Sequence, residues 1–357
     1  MEDSDMKLRL RGIGINRVGN AAGARGLFGD GYWYHKYLRP FGLNWDGATL
    51  FTKTATWGSR RGPDYNEPGN MRMTEDGKQP KERFPDCIKV YPVRRMALNS
   101  VGLSGPSLDA VLADGRWQVW PETLVISVMA LGETMEARLA DMQRIVRRLK
   151  TALPGWRSPV VIEINISCPN VCLDLMALVR EAWYLLDIAA ELDVPLIIKL
   201  NACTPAEAVK KISDHLACDA ISVTNTIPWW RQPVVGYVDW MRLFGTDISP
   251  LAKYKGGGLS GAPLLPIIEQ YIKLLLEIGV TVPIIGGGGV LCCRDADRLI
   301  RAGASAISLG SIAMLAPWEV RRVISHVKRR YAAITRVRKP AWERRRRVLW
   351  PMDLAAC

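Results

Sequence analysis

The chain has 357 residues, of which 48% are hydrophobic and 23% charged, and a formal net charge of +13. These proportions exclude wholesale disorder and a fibrous protein, and no apolar run approaches the ~18 residues a membrane span needs. The length suits one large α/β barrel or two ordinary domains. In chain order, the opening Met-Glu-Asp-Ser-Asp-Met-Lys is acidic and then basic, with no apolar segment behind it, unlike a secretory signal. The first 120 residues are rich in Gly, Pro, Trp and Arg. Strands are expected there near 13–21 and at 48–54. A rhythm then begins, with short β-rich runs at 124–130, 160–167, 195–200, 220–225, 283–287 and 306–310. Amphipathic helix-length runs separate or follow them at 134–153, 175–192, 205–215, 263–278, 295–302 and 317–331. The strand runs are nearly all apolar rather than alternating, as strands buried on both faces of a parallel sheet are.

Eight strands with helical crossovers predict an α/β fold, a (β/α)8 TIM barrel with an elaborated N-terminal region and a basic C-terminal tail. The open doubly wound sheet is the alternative, but its GxGxxG on the first strand–helix turn is missing. We expect the barrel over residues 1–331 and the tail over 332–357. From Trp318 onward, 12 Lys/Arg face three acids, so this segment alone supplies +9. It reads as a terminal helix with a solvated end; contact with nucleic acid or another anionic surface is the sharper alternative. Eight cysteines without a CxxC spacing point to a reducing compartment, and so to the cytoplasm.

Barrel chemistry collects at the C-terminal ends of strands. Those ends carry Lys53, Asn165, Lys199 with Asn201, and Asn225 with Thr226. The segment Ser167-Cys168-Pro169-Asn170 follows Asn165, and a loop before the third strand adds Asn99 to Leu103. Lys and Asn are poor ends for buried strands unless something there uses their hydrogen bonds. Glycine-rich turns follow the last two strands. Backbone N–H groups at Gly288, Gly289, Gly310 and Ser311 suit a nucleotide phosphate, and the run 256–261 offers another close backbone approach.

The ordered motifs Phe-Thr-Lys-Thr (51–54), Asn-Ser-Val-Gly-Leu (99–103), Glu-Ile-Asn-Ile-Ser-Cys-Pro-Asn (163–170) and Ile-Ile-Lys-Leu (197–200) resemble the dihydroorotate dehydrogenase family. Val-Thr-Asn-Thr (223–226), Gly-Gly-Leu-Ser-Gly (257–261), Ile-Gly-Gly-Gly-Gly-Val (285–290) and Leu-Gly-Ser (309–311) extend the resemblance, which runs from about Asn20 to about Ala316. Cys168 stands where the soluble branch carries its catalytic cysteine.

The resemblance implies FMN-dependent oxidation of dihydroorotate to orotate in de novo pyrimidine synthesis. Cys168 would be the general base, and Lys53 would lie between flavin and substrate. Asn99, Asn165, Asn170 and Asn225, with Thr226, would hydrogen-bond the substrate, and the backbone of Val101, Gly102 and Leu103 would take its carboxylate. Lys199 would face the flavin N1/O2 edge. The flavin site would also include Ala22, Gly23, Thr54, Asn165, Gly257 and Gly258, besides the glycine turns at 288–289 and 310–311. No metal site is implied. The soluble branch resembles homodimers. Fumarate in the same pocket, or NAD reached through an electron-transfer partner subunit, would be the oxidant.

The chain departs from the family after Asn170, where a short segment replaces a longer glycine-containing loop, and over 58–86, which is longer and more charged than expected. A tRNA-dihydrouridine synthase-like reductase and a flavin barrel that binds an anionic partner through its tail are the alternatives. The basic tail favours the tRNA reading, whereas the eight-residue motif around Cys168 and Gly-Gly-Leu-Ser-Gly (257–261) favour the first, and Cys168 together with all four Asn argues against a purely binding role. The seven cysteines other than Cys168, and His35, His215 and His326, receive no role.

Overall fold

The computed structural model describes residues 7–60, 69–166 and 175–338. The hairpin of β1 (Leu8–Leu10) and β2 (Ile13–Ile15) comes first, turning at Arg11 and Gly12, both with positive φ. That geometry matches the twist of the flanking strands. β3 (Val18–Asn20), α1 (His35–Leu38), β4 (Leu50–Phe51), β5 (Ile88–Tyr91), β6 (Met96–Asn99), α2 (Leu108–Ala113) and β7 (Leu124–Val128) follow. Helix and strand then alternate through α3 (Met135–Ala152), β8 (Val160–Asn165), α4 (Leu175–Ala190), β9 (Leu196–Leu200), α5 (Ala206–Ser213) and β10 (Cys218–Val223). After β11 (Ile227–Pro228), α6 (Trp240–Phe244) and β12 (Gly258–Gly261) the alternation resumes. It ends with α7 (Leu264–Glu277), β13 (Ile284–Gly287), α8 (Cys293–Ala302), β14 (Ala306–Leu309), α9 (Ile312–Leu315) and α10 (Val320–Arg338).

Eight strands form one parallel sheet in the order β3-β14-β13-β10-β9-β8-β7-β4, the expected (β/α)8 barrel. Its two ends meet at β3 and β4 through a single parallel bridge between Gly19 and Thr49. The fully buried Asn20 side chain supplements that seam. Its Nδ2 donates to the Phe51 carbonyl at 2.6 Å, and its Oδ1 accepts from the Phe51 N–H at 3.2 Å. A Cβ at Gly19 would lie 2.7 Å from the Phe51 ring, so glycine lets the two strands approach.

The barrel interior is layered. The inward side chains of the first strand turns, Val125, Val161, Ile197, Ala220, Ile285 and Ala306, pack with Phe51 and with Leu8, Leu10 and Ile15 of the hairpin. The hairpin therefore plugs the N-terminal end of the barrel with apolar surface. One pleat further on, the inward positions turn polar at Ser127, Glu163, Lys199 and Ser222, all buried. The outer helices bury one stripe each; α3 presents Met142, Ile145, Val146 and Leu149 to the sheet. Arg138 of α3 holds Glu181 of α4 through two hydrogen bonds of 2.6 and 2.7 Å.

Three features lie outside the sequence expectation. The stretch expected as one strand at 13–21 is divided between β2 and β3, because the Asn16 N–H turns to the Thr49 hydroxyl at 2.7 Å. A second, antiparallel sheet, β11-β12-β6-β5, stands beside the barrel. The last helix also runs past Tyr331 to Arg338; the rest of the expected tail lies outside the described residues.

Candidate active site

Lys53 follows β4 and is fixed by its backbone, whose N–H donates to the Gly26 carbonyl at 2.9 Å. The residue is 8% exposed, and its ammonium has no hydrogen-bond or ion-pair partner among the described residues. Burial pushes its pKa down to about 8, with Cys87 opposing the shift and the Lys199 charge reinforcing it. A buried cation without a counter-charge is costly unless a ligand supplies one.

At the ends of β8 and β10, Asn225 Nδ2 donates to Asn165 Oδ1 at 2.9 Å, so two of the expected substrate residues stand together. Asn99 arrives from the second sheet. It is the last residue of β6 and pairs in register with Gly258 of β12. A Cβ on Gly257 would lie 3.0 Å from the Asn99 carbonyl, and one on Gly258 would collide with the Thr226 hydroxyl. The antiparallel sheet thus brings Asn99, Thr226, Gly257 and Gly258 to one place.

The turn after β6 has consecutive left-handed residues, Gly102 at φ 72° and Leu103 at φ 59°. A left-handed leucine is uncommon and marks a locally over-determined backbone. What determines it is the segment after residue 58. Asn70 and Met71 donate backbone N–H groups to the Val101 carbonyl at 3.0 and 3.3 Å. Arg60 Nε donates to the Gly102 carbonyl at 3.2 Å, and Asn70 Nδ2 to the Ser100 carbonyl at 2.8 Å. Arg60, Asn70 and Met71 therefore brace the turn expected to hold a carboxylate.

The glycine turns form the other wall. A Cβ at Gly289, whose φ is 78°, would meet the Leu265 N at 2.7 Å and the Gly261 carbonyl oxygen at 2.8 Å. A Cβ at Gly310 would lie 3.2 Å from Ala21 Cβ, which brings the end of β14 against the Ala21–Gly23 turn after β3. The Tyr32 hydroxyl holds that turn by donating to the Gly23 carbonyl at 2.6 Å. Asp295 closes the first turn of α8, its carboxylate accepting from the N–H groups of Leu291 and Cys292 at 2.9 and 3.1 Å. Those two N–H groups are therefore already satisfied within the chain.

Beneath these walls runs a buried polar chain. Thr54 Oγ1 and Ser127 Oγ are 3.0 Å apart, Ser127 Oγ donates to Glu163 Oε1 at 2.8 Å, and Lys199 Nζ lies 3.6 Å from that same oxygen. Thr54 and Lys199 were expected site residues; Ser127 and Glu163 were not. The signal was present in strand parity: Val125 and Ser127, Val161, Glu163 and Asn165, and Ile197 and Lys199 each share one face. Cys168 and Asn170 lie outside the described residues.

A sequence profile of the family described as "Dihydroorotate dehydrogenase" matches residues 73–330. The catalytic subunit of dihydroorotate dehydrogenase B (NAD(+)) of Cutibacterium acnes is 30% identical over 270 residues, 73% of this chain and 81% of that one. Dihydroorotate dehydrogenase A (fumarate) of Lacticaseibacillus paracasei is 29% identical over 335 residues, 92% of this chain and 98% of its own. Among solved structures, DHODH of Eimeria tenella in complex with ferulenol superposes with a TM-score of 0.63 at 19% identity, covering 93% of this chain and 86% of that one. That likeness concerns the fold. The fold and these matches define an oxidoreductase barrel. The chain belongs to the dihydroorotate dehydrogenase family.

Proposed function

We propose that the protein oxidises dihydroorotate to orotate in de novo pyrimidine synthesis, with FMN as its flavin. The observation that carries this reading is the buried ammonium of Lys53, without a partner among the described residues, on a side chain whose Cε lies 4.0 Å from where a Cβ on Gly105 would stand, two residues beyond the braced 101–103 turn; together they suit a ligand with a carboxylate. The Asn165–Asn225 pair, with Asn99, Asn170 and Thr226, suits a ring of alternating N–H and C=O groups, because an amide side chain both donates and accepts. The glycine turns at 257–258, 288–289 and 310 fit a flavin phosphate wall, since an added Cβ at each would press on a neighbouring segment. Ala22, Gly23 and Ser311 adjoin the meeting point of Ala21 and Gly310 on that wall, Thr54 joins the flavin site from the polar chain with Ser127, and Lys199 serves the flavin's N1/O2 edge.

Bound FMN supplies the hydride acceptor. The residues of the chain do the rest. Cys168 takes the proton from one ring carbon as hydride leaves its neighbour and the double bond forms; a free thiol's pKa of about 8.5 needs little adjustment for this. Lys53 and the 101–103 backbone hold the carboxylate. The relatives named for fumarate and for NAD(+) make those two acceptors the ones to try, and the relative named as a catalytic subunit supports a partner chain when NAD+ is used. The eight cysteines without a CxxC spacing support a place in the cytoplasm, and we read the enzyme as a homodimer; among the described residues no helix is long and apolar enough to cross a membrane.

The test is to release the cofactor, identify it by mass, and follow orotate formation with fumarate and with NAD+. One FMN per chain and orotate produced with either acceptor are expected. FAD, or no flavin after reconstitution, overturns the cofactor assignment; FMN without orotate under any oxidant overturns the substrate.

A further inference from the structure

The barrel interior buries a carboxylate that the reaction as derived above does not use. Glu163 sits mid-strand in β8, 1% exposed, among apolar neighbours on both sides of the chain. A leucine or methionine would fill that position without the desolvation a carboxylate suffers. Two contacts explain its presence. Ser127 Oγ donates to Glu163 Oε1 at 2.8 Å and fixes the rotamer, and Lys199 Nζ lies 3.6 Å from that oxygen, with side-chain exposures of 4% and 1% for the lysine and glutamate. Thr54, 3.0 Å from Ser127, extends the chain to the end of β4. The four residues come from β8, β9, β7 and the segment after β4, so the arrangement is held by the barrel rather than by a loop.

We propose that Glu163 is a positioning residue that sets the reduction potential of the flavin by tempering the charge of Lys199. This inference rests on the reading that Lys199 faces a bound FMN. Positive charge at the flavin's N1/O2 edge stabilises the reduced ring, and a carboxylate behind that charge weakens the stabilisation. Ser127 and Thr54 keep the carboxylate in place, so the field at the cofactor is fixed by side chains that never touch substrate. An enzyme that passes electrons onward needs a flavin that is not reduced too easily; Glu163 restrains the pull of Lys199 so that both half-reactions proceed.

The test uses the flavin-loaded protein and Glu163→Gln, which keeps the side chain's shape and removes its charge. The readouts are the midpoint potential of the bound flavin and its affinity for sulfite, which adds to flavins more readily as positive charge near the ring increases. Glu163→Gln is expected to shift the equilibrium toward reduced flavin by about tenfold, or ~30 mV for a two-electron couple, and to tighten sulfite binding in the same direction. Reduction by dihydroorotate becomes more favourable and reoxidation slower. A potential and sulfite affinity within about twofold of wild type, with flavin still bound, show that Glu163 is only structural and overturn the proposal. Should Glu163→Gln fail to hold flavin, Glu163→Asp decides. It keeps the charge but withdraws it from Lys199, and a shift of about threefold in the same direction is expected, an unchanged potential being the refuting result. A wild-type chain that binds no flavin refutes the FMN reading itself, and this inference with it.

Discussion

Raising the pH from about 7 to about 9 is expected to weaken orotate binding, because Lys53 loses its proton in that interval. Burial holds its pKa at about 8, below the ordinary 10.5. Binding through the ammonium alone then weakens by about tenfold at pH 9 and continues to weaken above it. The sign for folding is opposite. The cost of the buried cation is fully present below about 8 and fades as pH rises toward 10.5, so the ligand-free chain gains stability over that window. The depressed value corresponds to a cost of roughly 3 kcal/mol, which a bound carboxylate offsets. Lys53→Met should therefore stabilise the ligand-free chain by up to ~3 kcal/mol at neutral pH while weakening orotate by about 10²-fold and flattening its pH dependence. Calorimetric titration of orotate into the flavin-loaded protein measures this. A Cys168→Ala background keeps the thiol's own titration out of the profile. Affinity that is flat with pH in that background, or unchanged in Lys53→Met, would show that the ammonium does not meet the carboxylate.

Three further outcomes are expected. Cys168→Ala should fold and bind FMN but reduce it about 10²–10⁴-fold more slowly with dihydroorotate. Cys168→Ser should recover partial activity only at raised pH, and Cys172→Ala should behave as wild type in the same stopped-flow assay. Asn20→Ala removes both side-chain hydrogen bonds across the β3–β4 seam and leaves Phe51 backbone groups unpaired; urea unfolding should show a loss of about 2–4 kcal/mol. Truncation after Arg338, the last described residue of α10, should leave flavin content and turnover within a few-fold while weakening retention on an anionic polymer.

The parallel strands were legible because each is a short, almost wholly apolar run, and β7, β8, β9 and β10 lie where those runs stand. Lys53, Asn165, Lys199 and Asn225 were legible as polar residues ending such runs. The antiparallel sheet was not. Its strands have two to four residues and include glycine and proline, so they carry no usable alternation. Consequently Asn99 was read as part of a loop, although it sits in β6 in register with Gly258. The brace from Asn70 to the 101–103 turn acts mainly through backbone hydrogen bonds and long-range contact, which sequence spacing does not reveal. Sequence offers Glu163 only as part of a motif; its contacts with Ser127 and Lys199 appear when the inward face of β8 is followed across the sheet. The last helical run was expected to end at Tyr331, whereas the helix continues to Arg338.

The most direct test of the central claim is anaerobic mixing of the purified, flavin-loaded protein with dihydroorotate while the flavin's visible absorbance is followed. The account predicts rapid bleaching with stoichiometric formation of orotate, and return of the absorbance when fumarate, or NAD+ with its partner chain, is added. A flavin that stays oxidised with dihydroorotate, yet bleaches with a chemical reductant, would contradict it.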